Sequence, residues 1–385
     1  MNVLRTKFTY MDLNWLLFLR AIIVGLAIDG SAGIKWLSLS KSNLTWTSTQ
    51  HCRLAFKYRT LDRGQAQFCK RYLDTMKYVT KASKDTRTAC QTQFFHNRWN
   101  CSSVELAPNF MNDLKYGTRE QAYVAALSSA SVVHAVAKGC ASGTLTNCNC
   151  GPMPNEPPSG DYKWGGCGDD VVFGMKVSRL FTDIPYSFKY FASQENQGKL
   201  KKKDKLSKLL VWKKSRQSRA ALNLHNQFAG RKMVEAALTR HCKCHGVSGS
   251  CQIRTCWKSL PTVKEISERL YRSYKRAVEV RHLPASNSFE PVYPLVSDQT
   301  DETLLFSAKS PDHCTPDEKF GSVGTRDRLC NATSHGPESC QSMCCGRGHY
   351  SYSVLVNVSC HCKYIWCCRV ECQTCQQKLL VTRCK

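Results

Sequence analysis

The sequence predicts an α+β protein built from two separately stapled, disulfide-rich domains, and three observations carry that expectation. Of 24 cysteines, twelve lie at or before Cys256 and twelve at or after Cys314, with none between. Even, dense cysteines in an exported chain form bridges, so the gap marks a hinge. Apolar residues in the first half recur at helical spacing. The segment from Cys314 to Lys385 instead alternates over 350–372, which points to a two-stranded ribbon tied by crosslinks.

Residues 1–32 read as a signal peptide. Arg5 and Lys7 precede the apolar run Leu13 to Ala27, and Gly30, Ser31 and Ala32 supply small residues for cleavage. Asn14 and Arg20 interrupt the run, which falls short of the roughly 20 apolar residues that a membrane span needs. No later stretch is read as long and apolar enough to cross a bilayer. Sequons at Asn43, Asn100, Asn331 and Asn357 fit the same secretory route, each an acceptor for an N-glycan if it faces solvent during folding.

Residues 33–282 are expected to form a helical N-terminal domain. Thr118 and Gln121 form a capping box ahead of Tyr123, Ala126, Leu127, Ala130, Val133 and Ala137, and Gly139 ends that run. Residues 148–170, "CNCGPMPNEPPSGDYKWGGCGDD", read as a stapled loop because of their Gly and Pro content. A second helix is expected from about Leu222 to Arg240. A third begins near Pro261, with Val263, Ile266, Leu270, Tyr274 and Ala277 on one stripe. Between these two helices sits a short polar excursion, "HCKCHGVSGSC" at 241–251. Residues 283–312, with Pro284, Pro291, Pro294 and Pro311 and no cysteine, read as a linker to a cysteine-rich C-terminal domain, 313–385. That domain buries too little surface to order itself, so crosslinks must restrict its unfolded state.

Formal net charge is +26, from 55 Lys and Arg against 29 Asp and Glu. Outside a cell that excess points to polyanions such as heparan sulfate, or to an anionic membrane face, rather than to nucleic acid. The densest run, "KLKKKDKLSKLLVWKKSRQSR" at 199–219, holds ten basic residues and one acidic. It reads as a self-repelling solvated loop or as a polyanion site, and Leu206, Leu209, Leu210 and Trp212 leave a membrane-surface helix open.

No catalytic constellation emerges. "GVSGS" around Ser248 resembles a nucleophile elbow but has Ser250 where the last glycine belongs, and no apolar strand leads into it. "MCCGRGH" at 343–349 lacks the Asp that a secreted phospholipase needs beside its histidine, since Tyr350 follows His349. Cys242, Cys244, His245 and Cys251 do not match zinc-finger spacing. No H-E-x-x-H, phosphate-binding glycine loop or EF-hand pattern occurs. What remains for Ser248 is presentation. Pairing Cys244 with Cys251, inside a pairing of Cys242 with Cys256, would make two nested clips and leave Gly246 and Gly249 free to take positive φ.

The motif "CKCHGVSGSCQIRTCW" at 242–257 resembles the signature of the Wnt family of secreted, lipid-modified signalling glycoproteins. Further matches are "RWNC" at 98–101, "KWGGC" at 163–167, "GTRDRLCN" from Gly324, "CCGRGH" at 344–349 and the final "CK". "GIKWLSLS", "SSVELAPN" and "CNCGPMPNEPP" are most similar to the eleventh Wnt subfamily. The resemblance implies a saposin-like helical N-terminal domain ending in an acylated hairpin, the thumb (241–257), and a cystine-rich β-hairpin C-terminal domain ending in an index finger. It implies a palmitoleoyl ester on Ser248, added by the acyltransferase Porcupine, a grip on the cysteine-rich domain of Frizzled receptors, and no enzyme activity or cofactor. Receptor contacts would be His245, Gly246, Val247, Ser248 and Gly249 on the thumb, and Tyr364, Ile365, Trp366, Cys367 and Cys368 on the finger.

By the same resemblance the bridges are Cys90 with Cys101, Cys140 with Cys148, Cys150 with Cys167, Cys242 with Cys256 and Cys244 with Cys251. In the second domain they are Cys314 with Cys345, Cys330 with Cys340, Cys344 with Cys384, Cys360 with Cys375, Cys362 with Cys372 and the adjacent Cys367 with Cys368. Cys52 and Cys69 are left to each other. Further partners implied are Wntless during export, low-density-lipoprotein-receptor-related or Ror/Ryk co-receptors, and heparan sulfate proteoglycans in the extracellular matrix. Two features depart from the family: Arg369 stands where relatives often carry an aromatic residue, and the basic stretch 199–219 is longer than usual for the subfamily. A disulfide-stapled matrix module binding heparin through charge alone is the competing class, and salt separates the two because screening weakens charge and spares an acyl anchor.

Overall fold

The structure, a computed structural model, describes residues 32–156, 162–186, 203–283, 286, 288–293 and 301–385, with backbone alone for 32, 33 and 203–216. The signal-peptide expectation for 1–32 lies, but for Ala32, outside the described residues.

Helices dominate the N-terminal half: α1 (Thr49–Lys57), α2 (Arg63–Arg71), α3 (Met76–Phe94), α4 (Arg119–Ala141), α5 (Val171–Thr182), α6 (Lys203–Glu235) and α7 (Val263–Lys275). Rich in Ala, Val and Ser, α4 is buried on every face, and a helix of that kind belongs in the middle of a bundle. Around it pack α3, α5, α6 and α7. Its small side chains bring neighbours within hydrogen-bonding reach. Ser178 Oγ on α5 donates to the Ser129 carbonyl at 2.9 Å, and Ser129 Oγ donates to the Gln227 carbonyl on α6 at 2.8 Å. Phe94 sits edge-on to Trp99, Tyr123, Tyr271 and Tyr274, which closes the top of this core.

Several expectations change here. α4, at 23 residues, is long and apolar enough to cross a bilayer, contrary to the reading that no later stretch is; 89% of its apolar window is buried inside the protein, as befits a core helix. Gly139 does not end it. Thr118 Oγ1 accepts the Gln121 N–H at 3.1 Å, but the Gln121 side chain takes the Gly117 N–H at 2.6 Å, one residue short of a capping box. The reciprocal box occurs instead at α7, where Thr262 Oγ1 accepts from Glu265 N–H at 3.3 Å and Glu265 accepts from Thr262 N–H at 2.7 Å. The helix expected over 222–240 runs from Lys203 to Glu235. Leu, Lys and Arg are good helix formers, so from Lys203 onward the basic stretch extends α6 rather than looping out.

Nor is 283–312 a bare linker. β4 (Val278–Leu283) pairs antiparallel with β5 (Ser288–Pro291) and parallel with β6 (Leu305–Phe306). Asn226 on α6 acts as a further strand neighbour, donating to the Leu305 carbonyl and accepting its N–H, both at 2.9 Å. Pro291 ends the edge strand β5, where a missing N–H is tolerated.

The short strands β1 (Tyr162–Trp164), β2 (Thr239–Cys244) and β3 (Arg254–Ser259) form a separate sheet in the order β1-β3-β2. In the C-terminal half β7 (Pro316–Asp317) pairs with β8 (Ser322–Val323), α8 (Cys340–Met343) makes one turn, and β9 (His349–Ile365) pairs with β10 (Arg369–Cys384). This ribbon is longer than the alternation at 350–372 indicates, and its residues are mostly exposed. The buried apolar cluster of this half comprises Cys340, Met343, Cys344 and Cys384, of which three are cystine.

Arg328 joins the halves. Its guanidinium donates to the carbonyls of Phe95, Asn97 and Arg98 at 2.7–2.8 Å, just past the C-terminus of α3, where carbonyls lack helical partners and the helix dipole favours a cation. Arg98 Nε returns a bond to the Ser342 carbonyl at 2.9 Å.

His134 lies on α4, 8% exposed, with neither ring nitrogen hydrogen-bonded. Burial, then the nearby Lys138 and Lys81, push its pKa down to about 4. The unfolded chain therefore binds a proton that the native state refuses, and stability falls as pH drops from about 6.5 towards 4. The expected loss is about 3 kcal/mol over that window. Denaturant titrations at pH 7, 5.5 and 4 should show it, and His134→Leu should flatten the pH profile by that amount.

Candidate functional site

Two exposed tips stand out, one from each half. The first is carried by β2 and β3, in register from Thr239–Ser259 to Cys244–Arg254. Cys242 and Cys256 face each other and are bonded, and beyond the last pair Cys244 is bonded to Cys251. Between these clips the backbone closes on itself. His245 N–H donates to the Ile253 carbonyl, Gly246 N–H to the Ser250 carbonyl, Gly249 N–H to the Gly246 carbonyl and Ser250 N–H to the Val247 carbonyl, at 2.8–3.1 Å. Every turn donor spent internally leaves fewer ways for the loop to rearrange.

Gly249 takes φ +77°, as expected, whereas Gly246 does not; its φ is −68°. What Gly246 supplies is space, because a Cβ there would lie 1.9 Å from Ser250 Oγ. The second left-handed residue is Ser248 itself, at φ 55°. That backbone disfavours residues with a Cβ and is held by the closed loop. Ser248 and Val247 are exposed, Val247 by 88%. The Ser248 hydroxyl has no hydrogen-bond partner among the described residues, so no base activates it in this arrangement.

The base of the hairpin is braced by residues that the sequence reading did not single out. Strand β1, from within the stapled loop, pairs parallel to β3. Arg240 lies 4.8 Å over the Tyr162 ring, Trp164 Nε1 donates to the Glu156 carbonyl at 2.7 Å, and Lys258 pairs with Glu156 at 3.1 Å. Asp169, 7% exposed, accepts from Ser259 Oγ, Leu260 N–H and Lys138 Nζ, which fixes the end of β3 to the core helix α4. Its neighbour Asp170 is legible as the N-cap of α5, accepting from Phe173 N–H at 2.9 Å, but the long-range role of Asp169 leaves no local pattern.

The second tip is the turn between β9 and β10. Ile365 faces Arg369 and Tyr364 faces Val370, while Cys360–Cys375 and Cys362–Cys372 tie the strands behind them. Trp366 is 88% exposed, Tyr364 68% and Ile365 43%, so none of them serves a core. Here one expectation fails. Cys367 and Cys368 are free thiols with sulfurs 3.4 Å apart, not a vicinal bridge. A bridge between neighbours would close a small ring through the peptide that joins them, which few backbone conformations allow. The other ten pairs that the resemblance implies are bonded, and so is Cys52 with Cys69, the pair left over. Cysteine sulfurs that cluster at Cys330, Cys340 and Cys344, and at Cys360 and Cys375, are committed to those bonds and are not a metal set. No hydrogen bond, ion pair or disulfide joins the two tips among the described residues.

Of the sequons, Asn43, Asn331 and Asn357 are exposed, and Asn331 Oδ1 accepts from Thr333 N–H and Oγ1 at 3.0 and 2.9 Å. Asn100 is half-buried beside the Cys90–Cys101 bridge, its Oδ1 taken by the Ser102 N–H at 3.2 Å.

Comparison with family models matches residues 57–385 to the Wnt family. The chain belongs to the Wnt family. It is similar to Wnt-11 of Gallus gallus, 40% identical over 357 residues that cover 92% of this chain and 94% of that one. It is also similar to Wnt-11b of Xenopus laevis, 40% identical over 94% of this chain and 96% of that protein. Among solved structures it resembles a chain of human WLS in complex with WNT8A, at TM-score 0.55 and 32% identity, over 82% of this chain and 96% of that one. A Wnt is a signalling ligand, and in this Wnt the described surface carries two projecting tips.

In this Wnt the inner clip closes a loop of eight residues, Cys244 to Cys251. Loop-closure entropy for that length is worth about 2.5 kcal/mol. Replacing both cysteines by serine should speed amide exchange at Gly246, Gly249 and Ser250 by roughly 50-fold or more, and leave α4 unchanged; exchange measured by mass spectrometry on peptide 241–257 checks this.

Proposed function

We propose that this Wnt ligand is secreted and grips the cysteine-rich domain of Frizzled receptors at two sites: a palmitoleoyl chain on Ser248 and the apolar finger turn at Trp366. Through that grip it would control developmental patterning, cell fate and cell polarity or movement, with no catalysis of its own. The single observation that carries the reading is the placement of Ser248, an unpartnered hydroxyl on left-handed backbone at the tip of a doubly clipped, exposed loop. An acyltransferase such as Porcupine can reach it. A hydrolase would need a base and an orienting carboxylate around it, and none is bonded there among the described residues.

Burying a chain of that length gains on the order of 10 kcal/mol at about 0.8 kcal/mol per methylene, an upper bound before ordering costs. One lipid therefore suffices to anchor a receptor contact. The same chain is poorly soluble, and Wntless would cover it during export; the likeness to WNT8A, whose structure is a complex with WLS, supports that route. A net charge of +26 supports retention on heparan sulfate proteoglycans at the cell surface and in the matrix, with low-density-lipoprotein-receptor-related or Ror/Ryk proteins as co-receptors. N-glycans are expected on Asn43, Asn331 and Asn357, whose side chains face solvent, and at lower occupancy on half-buried Asn100.

Ser248→Ala should leave folding and secretable mass intact, remove the acyl group, and abolish signalling in a Frizzled reporter assay; full activity of that variant would defeat the reading. Trp366→Ala should weaken binding to a purified Frizzled cysteine-rich domain by about 10- to 100-fold without lowering secretion, as expected for an exposed aromatic anchor. Surface plasmon resonance on the two variants separates the contacts.

A further inference from the structure

A cleft of about 670 Å³ opens where the two halves meet, between the residues after α3, the first turn of α4, α7, β4, β6 and residues 309–313. It contains none of the thumb or finger residues. Its size falls within the roughly 300–1,000 Å³ of small-ligand sites, which concentrate at domain junctions.

Its hydrogen-bonding groups are unevenly satisfied. His313 is 5% exposed, lines the cleft, and has no partner for either ring nitrogen among the described residues. Native proteins leave few buried polar groups in that condition without a reason. Arg119 lies 4.8 Å over the Phe306 ring and makes no hydrogen bond among the described residues, which leaves the N–H donors of its guanidinium unspent. Arg98 spends only Nε, on Ser342, and Lys309 at the mouth makes no hydrogen bond among the described residues. The facing acceptors are more occupied. Glu120, 3% exposed, takes the hydroxyls of Tyr274 at 2.9 Å and of Ser310, and Asp312 takes the Cys314 N–H at 3.0 Å. Glu279 alone among the lining carboxylates takes no donor among the described residues. The surplus lies with the donors.

We propose that this interdomain cleft binds a carboxylate, with Arg119 and Arg98 clamping its oxygens, His313 donating from the floor and Lys309 at the mouth. Guanidinium pairs with carboxylate through two parallel charge-assisted bonds, which suits an arginine whose N–H donors are otherwise unspent. The volume fits a small free carboxylate or one acidic side chain of a peptide. Burial keeps His313 neutral, against the pull of Glu120, Asp312 and Asp317 and with the repulsion of Arg98. A bound anion shifts that balance towards the imidazolium, so binding takes up protons as pH falls below 7.

The test uses the full-length secreted chain with glutarate and with a tri-glutamate peptide, both at constant ionic strength against chloride. A saturable rise in melting temperature with either probe is expected. Glutarate alone assigns the site to free carboxylates, and tri-glutamate alone assigns it to an acidic peptide. Arg119→Gln and Lys309→Gln should each raise the half-saturating concentration at least tenfold, whereas Lys319→Gln, exposed and outside the cleft, should not. Calorimetry in two buffers of different ionisation enthalpy should show proton uptake that His313→Gln removes. If Arg119→Gln fails to fold, Lys309→Gln decides. No saturable response to either probe, or the same response in the cleft variants, overturns the proposal.

Discussion

Covalent closure of segments that bury almost nothing is the constraint on which the rest of this structure depends. The thumb loop is short, polar and exposed, and the C-terminal half has an apolar cluster made largely of cystine. In neither place can the hydrophobic effect select one conformation, because little apolar surface leaves water. Crosslinks do it instead, by removing alternatives from the unfolded ensemble. The consequence for function is direct. A residue such as Ser248 can be both exposed and fixed in a left-handed backbone, a combination that a packed core cannot offer and an unclipped loop cannot hold.

The two tips belong to different halves, so their relative placement rests on the junction and not on either hairpin. Arg328 spends its guanidinium on three carbonyls beyond α3, and Ser310 donates to Glu120 on α4. Both links are directed hydrogen bonds that would have to be exchanged for water if the halves swung apart. The segment after α7 adds to this, since β6 lies alongside β4 and is held by Asn226 of α6. A ligand with two contacts gains from such rigidity. The second contact then forms within one encounter complex, at an effective concentration set by geometry.

Much of this was legible in the sequence, for identifiable reasons. The thumb could be placed because cysteines flank it at short spacing and helical patterns bracket it. α7 was legible from the stripe Val263, Ile266 and Leu270, and the ribbon from its alternation. Segments α1 to α3 were not assigned, since a helix such as "RGQAQFCKR" has only Ala66, Phe68 and Cys69 to mark a buried face. The start of α6 is only half legible, because charge density in 199–219 reads as a solvated loop while Leu206, Leu209, Leu210 and Trp212 leave a helix open, and Lys, Leu and Arg are all good helix formers. Asp169 and Arg328 escaped for a deeper reason. Each acts through partners far away in the chain, and long-range hydrogen bonds leave no periodicity.

The two proposed receptor contacts differ in what they can discriminate. An acyl chain is the same molecule on every ligand that carries it, so a groove that accepts it gains affinity without learning which ligand has arrived. Selectivity is a difference of affinities, and it must come from side chains that vary. On the thumb the loop is mostly glycine, serine and cystine, with Val247 the main projecting side chain. The finger offers more: Tyr364, Ile365 and Trp366 present an apolar front, and Arg369, cross-strand from Ile365, places a cation beside it. Arg369 is paired with Glu371, so a groove lined only with apolar groups would have to desolvate that ion pair, whereas one that ends in polar groups would not. Under the proposed two-site grip, partner choice would therefore concentrate at the finger, with the thumb supplying anchorage.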